Sequence, residues 1–296
     1  MIVKVENVSL KYGNYAALQD VSFELPDKKI YGLLGRNGAG KTSLLSILAS
    51  FRKQSSGIVT IHGEAPFENA SIMQQVAFLY NKDYKEESDN VKQLLDGVER
   101  YRPNFDREYA EYLVKRFKLD QNKAIKKLSK GMQSAVNVTI GLASRAPITI
   151  FDEVYLGMDA PSRDIFYKEL LEDQAKHPRT IILSTHLVSE MDYLFDEVLL
   201  LHDGKIMLQE DYDSLISKGA KITGNAEQVD EFVQSKQTIH VERLGETKAV
   251  TILGELSQEE RRTASDKGLE IRPVTLHELF VHLTKGEDED EDEATN

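Results

Sequence analysis

The chain contains no cysteine among its 296 residues. This absence excludes disulfide bonds and thiolate metal sites, and it fits the reducing environment of the cytoplasm. Long apolar runs are lacking too, since none approaches the roughly 18–20 residues that a membrane-spanning helix needs. The first residues, Met1–Glu6, are typical of the start of a strand and not of a signal peptide. We therefore expect a cytoplasmic protein.

Acidic residues outnumber basic ones and give the chain a net charge of −12 at pH 7. An unbroken run of acids, from Glu287 to Glu293, carries over half of that excess. Such a run repels itself, so we expect residues 285–296 to form a disordered tail. The overall charge also argues against nucleic acid as a partner.

Residues 1–217 alternate short β-rich runs with helical patterns, which predicts an α/β domain with a mainly parallel core sheet. The early runs alternate with period two, so an antiparallel β-subdomain should precede that sheet. From about residue 85 to 145 the pattern is helical and predicts a helical subdomain. The predicted strands are Ile2–Leu10, Val21–Leu25, Ile30–Leu34, Gly57–Ile61, Val76–Leu79, Thr149–Phe151, Thr180–Ser184 and Glu197–Leu201.

The composition changes near residue 216, and the pattern of residues 218–284 predicts a separate, small α+β extension. Its strands and helices follow the order βαββαβ, which is the ferredoxin-like order. A last amphipathic helix, Leu276–Leu283, precedes the acidic tail. We hypothesise that this extension regulates the protein or helps it to dimerise.

One segment, Gly35-Arg36-Asn37-Gly38-Ala39-Gly40-Lys41-Thr42, fits the phosphate-loop pattern Gly-x-x-x-x-Gly-Lys-Ser/Thr. It lies between an apolar run and a segment of helical periodicity, as the motif requires. The glycines let backbone N–H groups converge on oxyanions, and the helix start adds partial positive charge. Lys41 should reach the β- and γ-phosphates of a nucleotide, and the Thr42 hydroxyl should bind Mg²⁺. The alternative is an ordinary Gly-rich turn.

Two carboxylates, Asp152 and Glu153, end a second apolar strand. Asp152 is placed to hold the Mg²⁺ shell, and Glu153 to orient or deprotonate a water that attacks the γ-phosphate. A buried strand that happens to end in acids is the alternative, and the phosphate loop upstream disfavours it.

A third segment, Leu128–Met132, precedes these carboxylates and is called the signature segment here. Ser129 suits a helix N-cap, and Gly131 lets a phosphate approach the backbone. On its own the segment would be interpreted as an ordinary helix start.

Together, the three segments resemble the ATP-binding subunit of an ATP-binding cassette (ABC) transporter over about residues 1–215. The resemblance implies that Tyr12 stacks on adenine, that His186 contacts the γ-phosphate, and that Asp159 lies in a loop that signals between subunits. It also implies a head-to-tail dimer, in which the signature segment of one subunit closes on the ATP held by the phosphate loop of the other. The implied nucleotide-binding residues are Tyr12, Gly35, Arg36, Asn37, Gly38, Ala39, Gly40, Lys41, Thr42, Ser43, Ser129 and Gly131. The implied catalytic residues are Glu153, His186 and Lys41, and the implied Mg²⁺ ligands are Thr42, Asp152 and Asn81.

Three positions depart from the family pattern. Asn81 stands where the family has a Gln or Glu that reaches Mg²⁺, and its side chain is shorter. Met132 replaces a Gln at the end of the signature segment. Residues 154–156, Val-Tyr-Leu, are bulkier and more apolar than usual. The charged segment Asn81–Asn90 lies where family members receive their membrane subunit, although charge alone would indicate a solvated loop.

The resemblance implies an ATP hydrolase that uses Mg²⁺ and powers export of a drug, a hydrophobic or antimicrobial peptide, or a lipid through a separate membrane subunit. It would lie on the inner face of the cell membrane and pair as a homodimer or heterodimer. A non-transport regulatory ATPase module is the alternative. A translation-type ABC ATPase would carry two phosphate loops, whereas this chain has one. A chromosome-type ABC ATPase would carry a long coiled coil between the phosphate loop and the signature segment, whereas no sustained heptads follow Lys41.

Overall fold

The computed structural model describes residues 3–284, so the predicted acidic tail lies outside the described residues. Two compact units make up the chain. The cassette unit comprises the residues up to His186 together with Leu194–Gln209, and the C-terminal unit comprises Leu187–Tyr193 together with the residues from Glu210 onward. The boundary that the sequence places between residues 217 and 218 falls inside a helix, Tyr212–Lys218, of the C-terminal unit.

The cassette unit contains the first nine strands and six helices of the described chain. The strands are β1 (Val3–Tyr12), β2 (Tyr15–Leu25), β3 (Ile30–Leu34), β4 (Ser56–Ile61), β5 (Val76–Tyr80), β6 (Ile148–Asp152), β7 (Thr180–Thr185), β8 (Glu197–His202) and β9 (Lys205–Asp211). The helices are α1 (Lys41–Leu48), α2 (Ala70–Met73), α3 (Val91–Tyr101), α4 (Arg107–Arg116), α5 (Lys130–Ser144) and α6 (Ala160–Lys176).

An antiparallel sheet of three strands, in the order β2-β1-β4, opens the cassette unit. Strand β2 begins at Tyr15, earlier than the predicted Val21. Register shifts along β1, and left-handed backbone at Asn7 and Asp20, break the period-two alternation that the sequence analysis relied on.

The core sheet has six strands in the order β5-β6-β7-β3-β8-β9. The first five of these strands, β5, β6, β7, β3 and β8, pair in parallel. Strands β8 and β9 are joined by a two-residue link and form a hairpin. Leu34 pairs with Thr185, and Asp152 pairs with both Ser184 and Tyr80. The carboxyl ends of β3, β5, β6 and β7 therefore meet at one sheet edge, where α/β proteins bind their ligands.

The main core of the cassette unit lies where both sheets pack around α1. It includes Leu44, Leu45 and Leu48 of the helix, which are almost fully buried. Apolar burial of this kind is the main favourable term in folding. The core holds α1, and so Lys41 and Thr42 at its start, firmly against the sheet edge.

The C-terminal unit contains two helices that the sequence did not predict, followed by strands and helices in the predicted order. They are α7 (Val188–Met191), α8 (Tyr212–Lys218), β10 (Gly219–Asn225), α9 (Ala226–Val233), β11 (Thr238–Leu244), β12 (Thr247–Leu253), α10 (Gln258–Asp266), β13 (Glu270–Pro273) and α11 (Leu276–Thr284). Its sheet has the order β11-β12-β10-β13 with all neighbours antiparallel. This is the ferredoxin-like arrangement that the order βαββαβ predicts.

The predicted α/β fold with an antiparallel β-subdomain is thus confirmed. Helices α3, α4 and α5 occupy the interval in which a helical subdomain was predicted. Among residues 3–284, no helix combines the length and the apolar character that crossing a bilayer demands.

Candidate active site

The phosphate loop joins β3 to α1, and two of its glycines, Gly38 and Gly40, have backbone that other residues adopt only with strain. Gly40 has φ 105°, and a Cβ there would stand 2.6 Å from the carbonyl oxygen of Ala17. No side chain caps the start of α1, so its first N–H groups face the loop without a side-chain acceptor. A cavity of about 250 Å³ opens there, lined by Tyr15, Ala17, Asn37, Gly38, Gly40, Lys41, Thr42, Ser43 and Glu153.

Lys41 points into the loop from the first position of α1. Its Nζ donates to the carbonyl oxygens of Gly35 at 2.7 Å and Arg36 at 3.3 Å, and it is buried. The same ammonium lies 3.5 Å from Glu153 Oε1. A buried cation that is surrounded by oxygens and lies beside free N–H groups suits an anionic ligand.

The predicted carboxylates follow β6 as expected. Glu153 has left-handed backbone, φ 51°, which turns the chain sharply out of the strand and directs its side chain toward Lys41 and His186. His186 follows β7, and its Nδ1 lies 2.9 Å from Glu153 Oε1. The structure therefore brings Lys41, Glu153 and His186 together around a single carboxylate oxygen.

Asp152 is buried beside the start of α1, where the Thr42 hydroxyl donates to its Oδ2 at 2.7 Å. Burial raises the pKa of Asp152 above its ordinary value, and the hydroxyls of Thr42 and Ser184 oppose that rise. Nevertheless, neither Asp152 Oδ1 nor Ser184 Oγ completes a hydrogen bond. A buried carboxylate oxygen without a partner, next to a hydroxyl, fits a hard divalent cation such as Mg²⁺.

The signature segment starts α5. Ser129 is the N-cap, and its Oγ accepts from the backbone N–H of Met132 at 3.2 Å. A Cβ on Gly131 would stand 2.6 Å from the carbonyl oxygen of Gly157. Glycine is thus required at 131 by a contact within the chain, which the sequence analysis did not foresee. Ser129 and Gly131 line a second cavity, of about 520 Å³, that shares no residue with the cavity at the phosphate loop.

Comparison with known proteins decides the family. A family described as "ABC transporter" matches residues 18–155. The ABC transporter ATP-binding protein NatA of Bacillus subtilis (strain 168) is 30% identical over 209 residues, which cover 67% of this chain and 83% of NatA. The chain belongs to the ATP-binding proteins of ABC transporters. The bacitracin transport ATP-binding protein BcrA of Bacillus licheniformis is 28% identical, over 74% of this chain and 73% of BcrA.

Solved structures share the fold of this ABC protein. One, described as the ATP binding subunit of an ABC transporter, superposes with a TM-score of 0.64 at 23% identity, over 73% of this chain and 92% of that one. Another, the cassette MJ0796, is described as a dimeric post-hydrolysis state bound to ADP and Pi, with a TM-score of 0.61 at 20% identity, over 71% of this chain and 99% of that one. The predictions of an ABC ATP-binding subunit, of ATP hydrolysis, and of ATP with Mg²⁺ are confirmed.

Two predicted site residues, Asn81 and Tyr12, are not among those that line the phosphate-loop cavity. Asn81 is exposed and directly follows Tyr80, which pairs with Asp152, so Asn81 lies at the same sheet edge as Asp152. Tyr12 lies at the end of β1, with its hydroxyl 3.3 Å from Ser43 Oγ and the guanidinium of Arg52 4.6 Å from its ring centre. The guanidinium of Arg52 therefore lies over the ring of Tyr12.

Sequence reasoning missed two residues near the site. Tyr15 lines the phosphate-loop cavity, and its hydroxyl donates to the carbonyl oxygen of Gly38 at 3.5 Å. The Gly13-Asn14 pair between Tyr12 and Tyr15 is a hairpin-turn signal that could have placed both tyrosines side by side. Tyr155 is the second: the sequence marked its segment as unusually bulky but gave it no role at the site, and the structure buries it fully. Asp159, for which the resemblance implies a signalling role, caps α6 by accepting from Ser162 N at 3.0 Å.

Proposed function

We propose that this chain powers export of a drug, a hydrophobic or antimicrobial peptide, or a lipid through a separate membrane subunit. Likeness to a bacitracin transport protein supports a peptide-like cargo. The direction of transport needs its own test, because a probable sulfate/thiosulfate import ATP-binding protein is also similar to this chain, at 27% identity. Inside-out vesicles that carry the chain and its membrane subunit should accumulate labelled bacitracin when ATP is added. ATP hydrolysis without accumulation would contradict the choice of cargo or of direction.

The proposed chemistry rests on one oxygen of Glu153, Oε1, which lies close to both Lys41 and His186. Lys41 and the N–H groups of the phosphate loop bind the β- and γ-phosphates, which displace Glu153 from Lys41. Glu153 then accepts a proton from the attacking water, and His186 orients the γ-phosphate. Thr42, Asp152 and Asn81 would hold Mg²⁺, which neutralises phosphate charge when bound. The ring of Tyr12 would stack on adenine, which would contribute about 1–3 kcal/mol.

A head-to-tail dimer would account for the separation of the two cavities. Within one chain, Ser129 and Gly131 line a cavity that the phosphate loop does not share. A second subunit, turned head to tail, would bring its signature segment over the first subunit's nucleotide. Two-fold symmetry would then create two such sites. The dimer described for MJ0796 supports this arrangement.

An aromatic cluster, formed by the exposed Phe51 and Tyr80 and the partly buried Phe78, is the proposed contact for the membrane subunit. Phe51 is 58% exposed, and its ring centre lies 5.3 Å from that of Phe78. Exposed apolar groups of this kind mark interaction surfaces. The chain then continues into Asn81–Asn90, where buried Tyr84 hydrogen-bonds Asn137 of α5. Docking there would thus reach the helix that begins with the signature segment.

Replacement of Phe51 tests this surface. Phe51→Ser should abolish co-purification of the membrane subunit and leave ATP hydrolysis by the isolated chain unchanged. Tyr101→Ser is the matched control, since Tyr101 is 80% exposed but belongs to α3, outside the cluster. Equal loss of the membrane subunit in both variants would contradict the assignment. Such binding would place the chain on the inner face of the cell membrane.

The regulatory alternative differs in one measurement. An ATPase subunit should turn over ATP, and Glu153→Gln should stop it. Negligible turnover in both proteins, even with the membrane subunit present, would favour a non-transport regulatory module.

A further inference from the structure

Tyr155 stands in the bulky segment that departs from the family pattern, and the function proposed above leaves it without a role. Its side chain is 1% exposed, and its hydroxyl oxygen lies 2.5 Å from Thr185 Oγ1. Burial also raises the pKa of Tyr155, so the hydroxyl stays neutral and can donate at any working pH. The contact joins the turn after β6 to the last residue of β7.

Thr185 immediately precedes His186, whose Nδ1 lies 2.9 Å from Glu153 Oε1. The contacts therefore form a closed ring. One side runs along the chain from Glu153 to Tyr155, the other from Thr185 to His186, and a hydrogen bond closes each end. In such a ring, the position of the imidazole relative to the carboxylate depends on both hydrogen bonds.

The far end of the same turn is fixed independently. Leu156 O accepts from Ser134 Oγ of α5 at 2.9 Å, and Gly157 packs against Gly131. Tyr155 therefore projects from a segment whose backbone is already anchored on α5. Loss of the hydroxyl alone should leave this backbone in place while it removes the hydrogen bond between Tyr155 and Thr185.

We propose that Tyr155 is a positioning residue, which holds Thr185 and through it keeps His186 aligned with Glu153. The inference rests on the proposed function, because it assumes that Glu153 and His186 act on the γ-phosphate. A simpler explanation is that the core merely satisfies a buried hydroxyl. The positioning role and this simpler explanation predict different effects on His186 when the Tyr155 hydroxyl is removed.

The decisive variant is Tyr155→Phe, with Tyr31→Phe as matched control. Tyr31 is also fully buried, and its hydroxyl donates to the carbonyl oxygen of Pro26 at 2.7 Å, away from the site. Both variants lose one buried hydroxyl and should lose similar thermal stability. Only Tyr155→Phe should lower kcat, by roughly tenfold to hundredfold with KM for ATP unchanged, since small displacements of catalytic groups have effects of that size. It should also change the nitrogen NMR chemical shifts of the His186 imidazole, which report its position relative to Glu153.

Conservative replacement of Thr185 supplies the rescue. Thr185→Ser keeps the hydroxyl and should retain near wild-type kcat, whereas Thr185→Val should match Tyr155→Phe. In a His186→Ala background, Tyr155→Phe should cause no further loss, since the two residues act in one path.

Wild-type kcat and unchanged His186 nitrogen chemical shifts in Tyr155→Phe, with Glu153→Gln inactive, would overturn the positioning role and leave the proposed function intact. Full turnover in Glu153→Gln would instead overturn the proposed function, and the His186 nitrogen chemical shifts would still decide whether Tyr155 controls the imidazole.

Discussion

His186 Nδ1 and Glu153 Oε1 lie 2.9 Å apart, and the same carboxylate oxygen lies 3.5 Å from Lys41 Nζ. Glu153→Gln keeps the size of this side chain but removes the charge and the ability to accept a proton. We expect kcat for ATP hydrolysis to fall by at least about 10²-fold, the range for loss of a general base. A coupled assay of ATP turnover measures this. Glu172→Gln, at an exposed position of α6, should retain wild-type turnover.

Gly131 offers a second test, because its close approach to Gly157 is a backbone contact that cannot give way easily. Gly131→Ala would force a Cβ to within 2.6 Å of a carbonyl oxygen. We expect it to lower the free energy of unfolding by about 1–3 kcal/mol, as overpacking does, and to reduce ATP turnover. Urea denaturation measures the first effect.

The control for that variant is Gly97→Ala. Gly97 lies inside α3, and a Cβ there would have no atom within 4 Å. Alanine should instead raise the free energy of unfolding there by about 1 kcal/mol, because it favours helix. Equal effects at positions 131 and 97 would contradict the importance of the Gly131–Gly157 contact.

Asp173 and Arg179 form a buried ion pair at 2.6 Å, with each residue at most 5% exposed. Asp173→Asn would leave the guanidinium buried without its counter-charge, which costs about 3–5 kcal/mol. The neighbouring Lys168–Glu172 pair is exposed and 3.9 Å apart, so Glu172→Gln should cost less than about 1 kcal/mol. Thermal unfolding of both variants tests the contrast, and similar losses would argue against it.

The carboxyl group of Glu278, in the C-terminal unit, should make the free energy of unfolding depend on pH. The guanidinium of Arg272, followed by Thr275, lowers the pKa of Glu278 from 4.5 to about 2. Because its pKa is lower in the folded chain, the Glu278 carboxylate stabilises the fold at pH values above 4.5, its pKa in the unfolded chain. That stabilisation is lost as the pH falls toward 2. The difference in unfolding free energy between wild type and Glu278→Gln should therefore shrink between pH 5 and pH 3. A carboxyl NMR midpoint near 4.5 would contradict this.

Much of the fold could be predicted because local signals were strong. The phosphate loop, the acid-terminated strand and the order βαββαβ each depend on patterns within a few residues of one another. Strand β2 was placed late because bulges break its alternation. The Tyr155–Thr185 bond and the Gly131–Gly157 approach join residues far apart in the chain, so spacing alone could not reveal them.

The central claim is that ATP joins two copies of this chain across the phosphate loop of one and the signature segment of the other. Because the chain lacks cysteine, single cysteines can be introduced cleanly. Two chains that both carry Glu153→Gln, one with Asn37→Cys and the other with Met132→Cys, should be mixed and treated with a short bismaleimide. The account predicts a cross-linked dimer with Mg²⁺-ATP, and none without nucleotide or from either chain alone. No ATP-dependent cross-link in the mixture, or equal cross-linking within each single variant, would contradict it.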